Sequence, residues 1–356
     1  MFQMPRTPVI AALLFLLTGC TTPASSAPSA SPSLSSVPSA TVTASPTAAA
    51  STATASSATP IPMPNTAQLS APSANVVWAL VAGSRLFRST DRGDTWQDRS
   101  AALDPLAFGR EIAFISDNEG WQKTTGSSGA ACSVQWTGIG HTVDGAATWS
   151  QVVPAAPPAG ADPSGLFGSP CKSGLTFADP EVGFLSSRDP NSAPVIYRTA
   201  DGGRTWGASR PLQDPPGFTT RAGGAVLQPG RVRVVGTTLL LAASGDTGGR
   251  LTTYAFRSVD GGSTWSYVAT IPESGGAFTF VSATRWFQID APGSAKETTD
   301  GGATWHAFTT DYSQAAPIAP DIVFVDSLVG YATVRGAIQR TIDGGAHWTT
   351  IKTPGT

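Results

Sequence analysis

The sequence predicts an all-β fold: a single β-propeller of six four-stranded blades, preceded by a disordered linker. Three observations carry this prediction. A short pattern that ends in Trp occurs six times, its copies lie one blade length apart, and a second aromatic–glycine pattern accompanies it. Amphipathic helical spacing is absent from residues 66–356, which favours the all-β class.

Each copy of the first pattern has a Ser or Thr, an Asp two positions later and a Trp five positions after the Asp. Successive aspartates are 53, 57, 59, 40 and 43 residues apart, which is the period of a propeller blade. The residues that define the six copies are Asp91, Trp96, Asp144, Trp149, Asp201, Trp206, Asp260, Trp265, Asp300, Trp305, Asp343 and Trp348.

Short β-rich runs flank each copy, for example residues 255–258 and 265–268 around the fourth, so each copy is predicted to be the turn of a β-hairpin. The Asp can accept hydrogen bonds from backbone N–H groups of its own turn, and Gly adopts positive φ without steric cost. The Ser or Thr is expected to tie the hairpin together. The Trp is expected to bury its ring between neighbouring blades.

A second pattern places an aromatic residue six positions before a Gly that is followed by another aromatic, at residues 114–121, 177–184 and 324–331. Residues 280–287 keep the spacing without the Gly. We interpret this pattern as the first strand, turn and second strand of a blade. In the first blade, residues 66–72 are the candidate first strand. A seventh, degenerate blade within residues 207–238 is the alternative to a count of six, and the sequence does not determine how the ring closes.

The first pattern resembles the Asp-box, or bacterial neuraminidase repeat, Ser/Thr-x-Asp-x-Gly-x-Thr-Trp, and the resemblance covers about residues 73–352. It implies a turn between the third and fourth strands of each blade with a structural role. The copies depart from the pattern at Arg92, Ala146 and His347. The repeats also resemble those of propellers related to photosystem II assembly factors, which implies architecture rather than photosynthesis.

The N-terminus predicts a lipid-anchored, extracytoplasmic protein of a bacterial membrane. Arg6 precedes an apolar run that is too short to cross a bilayer, and the run ends in Leu17-Thr-Gly-Cys20, which resembles a lipobox. We therefore predict a signal peptide at 1–19, lipidation of Cys20, a disordered tether at 20–65 and a propeller at 66–356. Residues 21–60 are Ser, Thr, Ala or Pro at all but three positions and cannot form a core. An ordinary signal peptide with a chance Cys is the alternative.

Charge and composition exclude several classes of function. A net charge of −2, with 13% charged residues, gives no field that attracts nucleic acid. His141, His306 and His347 stand at different offsets from their box aspartates, so they should not converge on a metal. No cofactor fingerprint occurs. We expect a monomer without cofactor or metal, whose partners are the membrane, through its lipid, and a protein, peptide or glycan.

Cys132 and Cys171 are predicted to form a disulfide. An extracytoplasmic compartment permits pairing, and topology places the loop that holds Cys132 and the blade connection that holds Cys171 on the same face. Two separate thiols are the alternative.

That same face, opposite the Asp-box turns, carries the long loops 123–140, 153–174, 186–194 and 207–231. Loops on a rigid scaffold commonly carry binding functions, whereas tolerated insertions are the competing interpretation. The side chains best suited to contact a ligand there are Trp136, Phe167, Lys172, Arg188, Asp189, Arg210 and Arg221.

Three hypotheses of function follow. The first is a non-catalytic binding or scaffold module, the second an extracytoplasmic glycoside hydrolase or lyase, and the third a structural module of the cell envelope. Sialidase chemistry is disfavoured, because Phe87-Arg88 runs directly into the first box and the Ile-Pro that follows such an arginine in sialidases is missing. A glycosidase would need two carboxylates about 5–10 Å apart, for which Asp189 and Asp246 are the candidates. We therefore predict a protein that is not an enzyme.

Overall fold

The computed structural model describes residues 67–126, 135–156, 160–168, 170–189, 193–221, 225–272, 277–291, 294–312, 320–334 and 336–354. The predicted signal peptide, Cys20 and the tether lie outside these ranges, and their roles stay predictions. Within the described part of the chain, no helix is long and apolar enough to span a bilayer.

The described strands form six antiparallel sheets, one for each blade, in which strands pair in chain order. This confirms the all-β six-bladed propeller. The first three blades consist of β1 (Ala67–Ser70), β2 (Val77–Val81), β3 (Arg85–Ser89) and β4 (Gln97–Asp98); β5 (Phe108–Phe114), β6 (Gly120–Thr125), β7 (Thr137–Thr142) and β8 (Ser150–Val153); and β9 (Cys171–Phe177), β10 (Val182–Arg188), β11 (Ile196–Ala200) and β12 (Gly207–Ala208). A 3₁₀ turn, Ser100–Ala102, follows β4.

The fourth blade differs from the others because its first strand is divided, so that β13 and β14 both pair with β15. The last three blades consist of β13 (Gln228–Pro229), β14 (Arg233–Val235), β15 (Thr238–Asp246), β16 (Leu251–Ser258) and β17 (Ser266–Thr270); β18 (Ala277–Phe280), β19 (Trp286–Ala291), β20 (Ser294–Thr298) and β21 (His306–Ala307); and β22 (Ile322–Phe324), β23 (Gly330–Val334), β24 (Ala337–Thr341) and β25 (Thr349–Ile351).

The stretch 207–238 does not form a seventh blade. It supplies β12, β13 and β14, which complete the third blade and begin the fourth. The second sequence pattern is confirmed as a first strand, turn and second strand, because it coincides with β5–β6, β9–β10, β18–β19 and β22–β23. In the first blade, β1 lies within the predicted segment 66–72.

The Asp-box turns are held by one hydrogen-bond scheme, which the second box illustrates. Thr142 Oγ1 donates to Asp144 Oδ1 (2.9 Å) and accepts from the amide of Ala146 (3.0 Å). The amide and hydroxyl of Thr148 donate to the two oxygens of Asp144 (2.9 and 2.6 Å). The Thr148 hydroxyl is the largest of the influences that lower the pKa of Asp144 to about 2. In this box the Asp thus bonds groups of its own turn.

The box tryptophans pack between blades, as expected. Each belongs to an apolar cluster that joins its own blade to the preceding one; for example, Trp206 packs with Trp121 and Ile139 of the second blade, and Trp348 packs with Phe287 of the fifth. The second strands add stacked pairs across two of these seams: Trp78 on Phe114 at 3.7 Å, and Trp121 on Phe177 at 3.8 Å between ring centroids. The hydrophobic core is therefore a ring of six seams rather than one central cluster.

The ring closes through side chains, because the first and last blades are each built from one continuous stretch of chain. Trp96 Nε1 of the first blade donates to the carbonyl oxygen of Lys352 (2.6 Å). Tyr331 Oη of the sixth blade donates to the carbonyl oxygen of Ala74 (2.8 Å). Burial raises the pKa of Tyr331 to about 12, so this hydroxyl remains a donor at neutral pH.

Candidate functional site

Two cavities are relevant to function: a central channel and a smaller pocket between the second and third blades. The channel has a volume of about 690 Å³ and is lined mainly by the first strands of the blades. The pocket has a volume of about 200 Å³.

Two arginines of the fourth blade, Arg231 and Arg233, extend across the channel. Arg231 Nη1 donates to the carbonyl oxygen of Leu69 in the first blade (3.3 Å) and lies 3.8 Å from Asp321 Oδ2 of the sixth. Arg233 Nη2 donates to the carbonyl oxygen of Phe324, also in the sixth blade. Neither residue was among the predicted site residues, because the stretch before Thr238 resembles a loop in sequence.

The carboxylates near the channel are already bonded. Glu111 accepts from Lys123 Nζ (2.7 Å) and from the amide of Leu175 (2.9 Å). Burial acts to raise the pKa of Glu111, but Lys123, the amide of Leu175 and the charge of Arg231 together outweigh it, so the pKa lies below its ordinary value. Asp321 accepts from the amide of Leu69 (2.7 Å). Both groups therefore stabilise contacts between blades.

The pocket between the blades is mostly apolar. Its walls come from Trp136 and Val152 of the second blade, from the connecting loop that holds Pro163 and Phe167, and from Arg204 in the third Asp-box. Trp136 and Phe167 stack with ring centroids 3.9 Å apart and planes 24° from parallel. Phe167 remains 42% exposed. The structure thus brings together two of the seven ligand-face residues that the sequence predicted.

The loop that carries Phe167 is fixed from both sides. Asp162 Oδ2 accepts from the amide of Phe167 (2.8 Å), and Asp162 Oδ1 accepts from the amide and hydroxyl of Ser164 (2.9 and 2.6 Å). The carbonyl oxygen of Ser164 accepts from the amide of Trp206 (2.9 Å). Leu166 is 0% exposed in the seam between the two blades, so its burial anchors the loop.

Gly165 is required at its place in this loop. Its φ is +73°, a conformation that L side chains rarely adopt, and a Cβ there would lie 2.6 Å from the carbonyl oxygen of Trp206. Phe167 of the aromatic pair is therefore held by a loop whose backbone is fixed at Gly165.

Lys172 lies beneath this loop and is 3% exposed, so it does not reach the surface as the sequence suggested. Its Nζ donates to the carbonyl oxygen of Gly168 (2.7 Å) and lies 5.2 Å from the centroid of the Tyr197 ring. Burial lowers the pKa of Lys172 to about 8. The side chain thus positions the end of the loop that carries Phe167.

The other predicted ligand-face residues do not join the pocket. Asp189 is 8% exposed and therefore buried, whereas Arg210 and Arg221 are exposed on loops after β12. Arg188 ends β10, and its side chain is outside the described residues.

Cys171 begins β9, but Cys132 lies outside the described residues, so the disulfide stays a prediction. Over the described part of the chain, no group of three or more His, Cys, Asp or Glu side chains could hold a metal ion. His141 and His306 contact Glu119 and Glu297, and His347 contacts its own box Asp343.

No protein-family model and no curated protein sequence matches this chain. Among solved structures, it is similar to a protein of unknown function from Dyadobacter fermentans, at 13% identity and a TM-score of 0.50, over 80% of this chain and 92% of that one. It is also similar to YCF48 from Cyanidioschyzon merolae, at 18% identity and a TM-score of 0.46, over 83% of this chain and 89% of that one. A GH74 enzyme from Niastella koreensis is similar at 16% identity and a TM-score of 0.46, over 79% of this chain and 46% of that one. At these identities the similarity shows the β-propeller fold alone.

Proposed function

We propose that this protein is a membrane-tethered, extracytoplasmic binding module that holds an apolar side chain of a protein or peptide in the pocket between its second and third blades. The observation that carries the proposal is the stacked Trp136–Phe167 pair, fixed by Asp162 at the edge of an apolar pocket. Aromatic groups held rigid before binding lose little conformational entropy when a ligand arrives.

The apolar lining favours a peptide over a glycan. Sugar hydroxyls need hydrogen-bond partners when they leave water, and burying them against Val152, Pro163 and Phe167 would leave them unpaired. The channel carboxylates support a non-catalytic role. Glu111 is bonded to Lys123 and Asp321 to the amide of Leu69. They therefore do not form the free pair of acids that a glycosidase requires.

The membrane tether rests on the sequence at Cys20 and residues 21–60. Palmitate labelling in cells should mark the wild-type chain and leave Cys20→Ala unlabelled. Equal labelling of both chains would exclude Cys20 as the lipidated residue.

Binding is tested with the full chain carrying Cys20→Ala, screened in parallel against a random peptide library on phage and a glycan array. We expect enriched peptides with a shared apolar residue, and at least a tenfold loss of their affinity in Phe167→Ala, as for a hot-spot aromatic. Phe108→Ala is the matched control, because Phe108 is 46% exposed and lies outside the pocket. Binding to glycans alone, or equal losses in both variants, would overturn the proposal.

A further inference from the structure

Arg204 occupies a position of the Asp-box that the pattern leaves open, and it is the one cation at that position among the six boxes. It stands three residues after the box Asp. The other five boxes have uncharged or acidic residues at this position: Asp94, Ala147, Ser263, Ala303 and Ala346. The amide of Arg204 donates to Asp201 Oδ1 (3.0 Å), a bond that any residue other than Pro supplies. The Ser and Ala residues of other boxes at this position show that the turn forms without an arginine side chain.

Arg204 contributes to the wall of the pocket and is exposed. Its Nη1 donates to the carbonyl oxygen of Asp201 (2.6 Å), which uses one of five N–H donors. Asp162 is the acidic residue in the pocket wall, and both of its oxygens accept from Ser164 and Phe167. Among the described residues, Arg204 forms no ion pair, so an anionic ligand would not have to displace a carboxylate from it.

The size of the pocket limits what can reach Arg204. A cavity of about 150 Å³ accommodates a benzene molecule, so the volume of about 200 Å³ has room for about one large apolar side chain. A carboxylate that belongs to the same residue as the seated apolar group is the simplest partner for Arg204 in a pocket of this size. Arg favours carboxylates because its parallel N–H groups can bind both oxygens.

We propose that the pocket binds the C-terminal residue of a peptide, with its apolar side chain against Trp136 and Phe167 and its free α-carboxylate on Arg204. This inference rests on the proposed function and specifies its ligand. It assigns the carboxylate selectivity of the pocket to a residue that the Asp-box fold does not need.

The test compares N-acetyl-leucine with N-acetyl-leucinamide, which differ only in the carboxylate, by ligand-observed NMR on the full chain with Cys20→Ala. We expect the acid to bind at least tenfold more tightly than the amide. The variant Arg204→Ser, which introduces the residue that the fourth box has at this position, should bind the two with equal affinity. Arg250→Ser, at an exposed arginine of the β15–β16 hairpin, should retain the difference.

Three results would overturn the inference. Equal binding of acid and amide by the wild-type chain would show that the carboxylate is not recognised, and it would leave the proposed function unaffected. Equal binding of N-acetyl-leucine and N-acetyl-aspartyl-leucinamide would show that a side-chain carboxylate suffices. Absence of binding by both leucine probes, together with an unenriched peptide library, would overturn the proposed function as well.

Discussion

Arg340 of the sixth blade donates from Nη1 to the carbonyl oxygen of Arg92 in the first blade (2.8 Å) and lies 3.2 Å from Asp94 Oδ1. Arg88, at the same place before its own box, donates to the carbonyl oxygen of Asp117 in the second blade (2.9 Å). An arginine before the box therefore bonds the next blade at these two seams. At the closing seam it joins the two ends of the folded chain.

Replacing Arg340 with Gln should weaken ring closure. We expect Arg340→Gln to lower the free energy of unfolding by about 1 kcal/mol, because the hydrogen bond and ion pair are partly exposed to water. Urea denaturation measures the change, and hydrogen exchange should quicken in β3 and β24 before the other blades. Arg250→Gln is the control; an equal loss in that variant would show that the closing contact contributes nothing.

The position two residues after the box Asp should tolerate a methyl group in the second box but not in the fifth. Gly302 has φ +94°, and a Cβ there would lie 2.6 Å from that of Ala269 and 2.7 Å from the Trp286 ring, so Gly302→Ala should cost about 2–4 kcal/mol. Ala146 already occupies the matching place at φ +61° and is buried. Ala146→Gly relieves backbone strain and loses a buried methyl, so it should change stability by less than about 1 kcal/mol. Thermal and urea unfolding compare the two variants, and similar costs would contradict this account.

His347 should give the sixth box a dependence on pH that the other boxes lack. Its Nδ1 lies 2.6 Å from Asp343 Oδ2, and this hydrogen bond, with the charge of Asp343, raises the pKa of His347. Because the folded pKa exceeds the unfolded value near 6.5, the stabilisation is fully present below pH 6.5 and is lost as pH rises through the folded pKa. Melting temperatures of the wild-type protein and His347→Thr should thus diverge between pH 5.5 and 8.5. Thr304→His in the fifth box should introduce the same dependence; a flat profile there would oppose this explanation.

Lys172 should make the protein more stable at alkaline pH. Burial lowers its folded pKa to about 8, so between pH 8 and its unfolded pKa of 10.5 the unfolded chain binds more protons and stability rises with pH. The rise should reach about 3 kcal/mol at most, from 1.36 kcal/mol per pKa unit, and should vanish in Lys172→Met. Urea unfolding at pH 7.5, 9 and 10.5 measures it, with the exposed Lys352→Met as control. A rise that persists in Lys172→Met would exclude Lys172 as its source.

The repeated turns could be predicted because their causes are local. Asp144, Thr142 and Thr148 form their hydrogen bonds within eight residues, so the sequence alone indicates the turn and the blade period. The contacts between blades could be predicted in part. A Trp at the same place in each repeat indicates a buried ring, but the sequence does not name the residues against which it packs.

The channel and the pocket depend on contacts between distant parts of the chain. Arg231 reaches Leu69 across 162 residues, and a divided strand placed it in a segment that resembles a loop. Arg204 was not singled out from the sequence, because its position in the box is variable and only the structure places it in the same pocket wall as Phe167. Lys172 and Asp189 were expected at the surface because composition does not distinguish a buried charged side chain from an exposed one.

Building every blade from one uninterrupted stretch of chain has a consequence during synthesis. Each blade can assemble as soon as its own residues have emerged, whereas Leu69 must wait for Tyr331 and Ile338 of the sixth blade, which share its apolar cluster. The first blade therefore keeps an apolar flank uncovered until the last has emerged, which makes this flank the part of the nascent protein that most needs protection from aggregation.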